Sequence, residues 1–70
     1  MTEGKNRGMG SLVRVYRIKA YMTQEDLSKA SGVSRVAIAN IERGAAKPKV
    51  STLKVLAEAM NVNLNDLIFE

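Results

Sequence analysis

Between Gln24 and Lys54 the chain gathers a set of strong hydrogen-bond donors: carboxamides at Gln24 and Asn40, guanidiniums at Arg35 and Arg43, and ammonium groups at Lys29, Lys47, Lys49 and Lys54. From Lys29 onward these cations share their stretch with a single acid, Glu42. Such groups do not shuttle protons at neutral pH; they donate to anionic and carbonyl-type oxygens and hold them in place. The sequence contains no cysteine and no histidine, which removes disulfides, thiolate nucleophiles, imidazole bases and the usual zinc ligands together. With no acid–base pair and no nucleophile beside an activator, a binding protein is expected rather than an enzyme, without cofactor or metal. The net charge is +4, and beyond Lys54 the charged residues are Glu58, Asp66 and Glu70. A basic middle and an acidic end predict an anionic partner for the middle, nucleic acid foremost. Taken alone, the charge is equally compatible with a solvated basic surface.

Those donors need a scaffold. The chain of 70 residues suits one compact domain, and an apolar share of 46% with 26% charged residues lies near the globular average. No apolar run approaches the roughly 20 residues that cross a bilayer, and the N-terminus lacks the layout of a signal peptide, so no membrane contact and a cytoplasmic setting are expected. Residues 1–10, with Gly4, Gly8 and Gly10, read as a flexible leader, either an untethered terminus or, through Lys5 and Arg7, a basic arm. Residues 11–69 then form the domain.

Five short helices are predicted. Ser11 caps the first, with Leu12, Val15, Tyr16 and Lys19 at spacings of three and four and Val13 on the side of Arg17. Thr23 caps the second, Gln24 to Ser31, with Glu25 and Asp26 in its first turn and Leu27 and Ala30 inward. Gly32 ends it and Ser34 caps the third, which turns Ala37, Ile38 and Ile41 inward and Arg35, Ala39, Asn40 and Arg43 outward, with Val36 at the border, before Gly44 stops it. After a loop with Lys47, Pro48 and Lys49, helix four carries Leu53, Leu56, Ala57 and Met60 on one face and stops at Asn61. Asn63 caps a last helix with Leu64, Leu67 and Ile68 inward. Two short helices joined by a tight glycine turn, the second with a slim polar outer face, form the layout that inserts a helix into the DNA major groove. Ser28 and Ala30 are small enough for close approach, and Leu27, Val33, Ile38 and Ile41 supply the contacts that fix the angle.

The run Thr23-Gln24-Glu25-Asp26-Leu27-Ser28-Lys29-Ala30-Ser31-Gly32-Val33-Ser34, followed by Ile41-Glu42-Arg43-Gly44, resembles the Cro/lambda-repressor-like family, also called the xenobiotic-response-element (XRE) helix-turn-helix family. The resemblance extends through Pro48, Leu53, Leu56, Ala57, Val62, Asp66 and Leu67 and covers residues 11–69. It implies an all-α, five-helix domain with its helix-turn-helix in helices two and three, binding double-stranded DNA as a transcriptional regulator, a repressor, in the cytoplasm at the nucleoid. In this likeness Gln24 donates to a phosphate beside the helix N-terminus. Ser34 caps helix three and touches phosphate. Arg35 suits guanine, Val36 a thymine methyl and Asn40 adenine, while Ala39 lets the backbone come close. Arg43, Lys47 and Lys49 hold neighbouring phosphates. Arg17 and Glu42 match an ion pair of the family.

Two positions depart from the pattern. Tyr21 stands where the family has glycine at the end of helix one, and a left-handed tyrosine is costly, so a differently built turn is expected. Lys49 replaces a small polar cap, so Ser51 is expected to cap helix four. A homodimer is expected from the limited surface one module buries on DNA, with Val55 and Phe69, left over from the core pattern, in the contact. Rival readings are an antitoxin or a restriction-modification controller on the same domain, and a helical protein–protein adaptor without DNA binding.

Overall fold

The computed structural model describes residues 9–68. Five α-helices follow one another: α1 (Met9–Lys19), α2 (Gln24–Ser31), α3 (Arg35–Glu42), α4 (Val50–Met60) and α5 (Leu64–Ile68). No strand occurs among the described residues. The helices close over Val13, Leu27, Ile38, Ile41, Leu53, Leu56, Ala57, Met60 and Leu67, with Leu12, Tyr16, Met22, Val33, Val62 and Leu64 packed around them. Residues 1–8 of the expected leader, and Phe69 of the expected dimer contact, lie outside the described residues.

α1 differs from its sequence-based expectation at both its start and its face. It begins at Met9, so Ser11 lies inside the helix instead of capping it, and Gly10 belongs to α1 and not to a leader. The cause is tertiary: a Cβ at Gly10 would overlap the Ile41 carbonyl oxygen and sit 3.1 Å from its carbonyl carbon, so the bare glycine lets α1 lie directly on the end of α3. The inward face runs through Val13, Tyr16, Arg17 and Ala20, at i, i+3, i+4 and i+7, and leaves Val15 45% exposed. An arginine occupies one position of that stripe, which is why the apolar residues alone point to the wrong side. α2 repeats the effect. Its inner face is Gln24, Leu27, Ser28 and Ser31, and Ala30 is exposed. In α5, Leu67 is buried while Ile68 is 38% exposed, because a helix this short turns only one narrow side to the core.

The turn after α1 takes the left-handed form despite its tyrosine. Tyr21 has φ 60; its N–H donates to the Ile18 carbonyl at 2.9 Å, and the Met22 N–H donates to the Arg17 carbonyl at 3.1 Å. A differently built turn is therefore not what forms, and the conformation costs about 1 kcal/mol. It is tolerated because the ring is 95% exposed and clashes with nothing, and because the Arg17 side chain holds the turn by donating from Nη1 to the Met22 carbonyl at 2.8 Å. Asn61, φ 60, ends α4 in the same way. Lys49 is the N-cap of α4 without a side-chain bond, and Ser51 does not cap the helix. The chain already turns helical at Val50, where the Leu53 N–H closes on the Lys49 carbonyl at 3.0 Å.

α2 starts with a reciprocal cap. Thr23 Oγ1 accepts from the Asp26 N–H at 2.9 Å, and the Thr23 N–H donates to Asp26 Oδ2 at 2.9 Å. These bonds from the Thr23 backbone and hydroxyl, aided by Lys29, hold the Asp26 carboxyl below its ordinary value against a small opposing effect of burial. A carboxylate lowered on folding adds stability above its unfolded pKa and loses it as pH falls through the folded one. Between those two values the thermal midpoint of Asp26→Asn is therefore expected to fall less with acid than that of the parent, as scanning calorimetry across the acid range would read.

Candidate nucleic-acid interface

The direction of α3 is set by a turn whose amides are accounted for. Gly32, φ 84, donates its N–H to the Ser28 carbonyl at 2.8 Å. The Val33 N–H donates to Ser31 Oγ at 3.1 Å, and Ser34 Oγ accepts from the Ala37 N–H at 3.1 Å, which makes Ser34 the N-cap. A Cβ at Gly32 would meet nothing, so the glycine is there for its positive φ, which other residues adopt at a cost. From this anchor Ile38 and Ile41 enter the core. On the outer side Arg35 and Arg43 are exposed, Val36 is 62% exposed, and Ala39 and Asn40 are half-buried. Val36 shares that exposure with Val50 at the head of α4, so it is its place between Arg35 and Asn40, and not its exposure, that sets it apart. Arg43 Nη2 donates to Asn40 Oδ1 at 2.8 Å, linking two of these residues across one turn.

Behind α3 the acid is neutralised. Glu42 accepts from Arg17 through Nε to Oε2 at 2.7 Å and through Nη2 to Oε1 at 3.0 Å, a bidentate pair whose side chains are 12% and 5% exposed. Gln24 Nε2 adds a third bond to Glu42 Oε1 at 3.1 Å. One amide hydrogen of Gln24 is thus committed inward, and its residue stays half-buried at the first position of α2. The Gln24 bond was not visible in the sequence, since residues 18 apart in number reveal no contact by spacing.

The segment after α3 folds back through Gly44, φ 80, whose N–H donates to the Ile41 carbonyl at 3.1 Å, while the Ala45 N–H donates to that of Asn40 at 2.8 Å. Lys47 and Lys49 are exposed on the loop that follows. A groove of about 370 Å³ lies beside this end of α3, lined by Arg14, Arg17, Gln24, Ala39, Glu42 and Arg43. Arg14 was absent from the residues singled out by sequence. Its spacing of three from Arg17 is the signal that could have found it, because both then share one side of α1. Val55, 36% exposed on α4, does not line this groove.

A capped and glycine-turned helix that presents guanidinium, amide and open apolar groups outward, with the local acid neutralised behind it, defines a helix-turn-helix DNA-binding regulator of transcription. The chain belongs to the Cro/lambda-repressor-like helix-turn-helix family: the family model, described as "Helix-turn-helix", matches residues 13–67. It is 34% identical over 67 residues to the ImmF control region 10 kDa protein of Bacillus phage phi105, covering 96% of this chain and 72% of that protein. The fold superposes on the restriction-modification controller protein C.AhdI from Aeromonas hydrophila with a TM-score of 0.84 and 25% identity, over 93% of this chain and 98% of that one. It also superposes on the P22 c2 repressor, solved in complex with a synthetic operator, with a TM-score of 0.81 and 33% identity over 90% and 96% of the two chains. No helix among the described residues is long and apolar enough to cross a membrane.

Proposed function

We propose that this regulator acts without catalysis as a repressor in the cytoplasm at the nucleoid, binding a two-fold operator as a homodimer with α3 of each chain in the major groove. The observation that carries the reading is the outer face of α3, where Arg35, Val36 and Asn40 stand together while Ile38 and Ile41 hold the helix to the core. Arg35 reads guanine, Val36 packs on a thymine methyl and Asn40 reads adenine, through its free Nδ2 and the second lone pair of an Oδ1 that also accepts from Arg43. Ala39 admits the backbone closely. Gln24 gives its remaining N–H to a phosphate, Ser34 meets another at the head of α3, and Arg43, Lys47 and Lys49 hold those beyond its end. The likeness to a phage control-region protein and to a repressor solved on its operator supports repression. A restriction-modification controller is the second reading, favoured by the superposition on C.AhdI. Both readings share the DNA-binding face.

The test separates readers from holders. A site is first selected from random duplexes. Arg35→Ala and Asn40→Ala are each expected to lose about 1–3 kcal/mol on that site and little on random DNA, relaxing one base position. Lys47→Ala should weaken both equally and reduce the salt slope by about 0.9. Sedimentation of the complex should give two chains per site. An unchanged ratio of specific to random affinity in Arg35→Ala and Asn40→Ala would remove α3 as the reader.

A further inference from the structure

Asn40 and Arg43 stand one turn apart at the end of α3, and the bond between them has a direction that chemistry fixes. A carboxamide carries an oxygen and a nitrogen of nearly equal shape, one accepting and the other donating. A half-turn about its last bond exchanges them, so an asparagine without partners offers a base edge either pattern. A guanidinium has N–H donors and no acceptor. The atom that Arg43 Nη2 meets at 2.8 Å is therefore Oδ1, and Nδ2 is turned away from it. Among the described residues this is the one hydrogen bond of the Asn40 side chain, and Val36, one turn earlier on the same face, has no polar atom to offer it. Both ends of the bond are held by backbone. The Arg43 N–H donates to the Ala39 carbonyl at 3.1 Å, and the Asn40 carbonyl accepts from the Ala45 and Ala46 N–H groups at 2.8 and 3.2 Å. No acid among the described residues draws Arg43 away, since Glu42 is taken by Arg17 and Glu25 by Lys29.

We infer that Arg43 is a specificity-determining positioning residue: through Oδ1 it selects which edge of the Asn40 carboxamide meets the base. The inference rests on the operator-binding reading, and it gives Arg43 a role separate from any phosphate contact. With the amide so oriented, Nδ2 is the free donor and Oδ1 keeps one lone pair, the pattern that fits N7 and the N6 amino group of adenine. The flipped amide would bring its own N–H groups against those of the guanidinium, donor against donor. The wrong pattern is thus disfavoured before the duplex arrives, and Arg43 discriminates between bases without touching one.

The base pair that Asn40 reads is first located on the selected site as the one whose preference Asn40→Ala erases. Fluorescence anisotropy then gives the affinity of each variant for that site and for duplexes changed at one pair at a time. Arg43→Met keeps the length of the side chain and removes its donors. It is expected to cut discrimination at the Asn40 position about fivefold, the worth of one exposed hydrogen bond, and to leave the other positions as they were. Arg43→Lys, whose head also only donates, should recover part of the loss. Asn40→Ala combined with Arg43→Met should discriminate no worse than Asn40→Ala alone, because no carboxamide is left to orient. Arg43 is exposed, so these variants should unfold near the parent temperature. A residue that only holds phosphate would weaken matched and mismatched duplexes by the same factor, as Lys47→Ala should. That result for Arg43→Met, or a relaxed preference at a position other than that of Asn40, would overturn the positioning role while α3 stays the reader. If Asn40→Ala erases no preference at any position, the operator-binding reading of Asn40 fails and the inference fails with it.

Discussion

Replacing Glu42 with alanine is expected to cost about 3–5 kcal/mol of folding stability, because it leaves the Arg17 guanidinium largely buried without its counter-charge. Arg17 is 12% exposed and Glu42 5%, so neither can recover full hydration by a small movement. Arg17→Ala should be comparably damaging, since Glu42 would keep only the Gln24 bond. For a chain of 70 residues, a total stability of roughly 4–10 kcal/mol is usual, and either change removes a large part of it. Removing both partners should cost clearly less than the sum, because no charge is then stranded. The pair Arg17→Met with Glu42→Leu, which fills the same space with apolar groups, should recover part of that loss, short of the parent because the Met22 carbonyl loses the Arg17 donor. Urea unfolding of the single and double variants reads this directly, and strictly additive losses would count against a coupled pair. Gln24 connects the pair to the DNA-binding face, because removing Glu42 takes away the bond that fixes its carboxamide.

Gly10→Ala should destabilise the protein by about 1–3 kcal/mol, although alanine is the better helix former by roughly 1 kcal/mol. The two effects have opposite signs, and geometry decides between them. The added methyl would overlap the Ile41 carbonyl oxygen, which is backbone and cannot rotate away, and the same oxygen accepts from the Gly44 N–H that ends α3. Either α1 lifts from α3 or the end of α3 shifts. A lifted α1 exposes Val13, and a shifted α3 moves Asn40 and Arg43, so operator affinity should fall together with stability. Thermal unfolding and anisotropy on one preparation would check both. An alanine variant more stable than the parent would mean that the first turn of α1 does not pack on α3.

What the sequence settled by itself is local. Thr23, Ser34, Gly32 and Gly44 act within a few residues of their own positions, through caps and positive φ, so α2, its turn and α3 were legible as soon as those residues were read in order. The apolar spacing of α4 was legible for the same reason, since its buried residues are nearly all hydrocarbon. What only the tertiary structure decided are the places where a distant partner overrides local preference. The start of α1 depends on Ile41, far from Gly10 along the chain but against it in the fold. The inner face of α1 includes Arg17, and a buried cation is disguised in any apolar pattern until Glu42 is found beside it. Tyr21 is driven left-handed by a turn that Arg17 also holds, against its own preference. The groove that joins Arg14 to Gln24 and Arg43 is lined from three helices, a meeting of residues far apart in the chain that no spacing rule encodes.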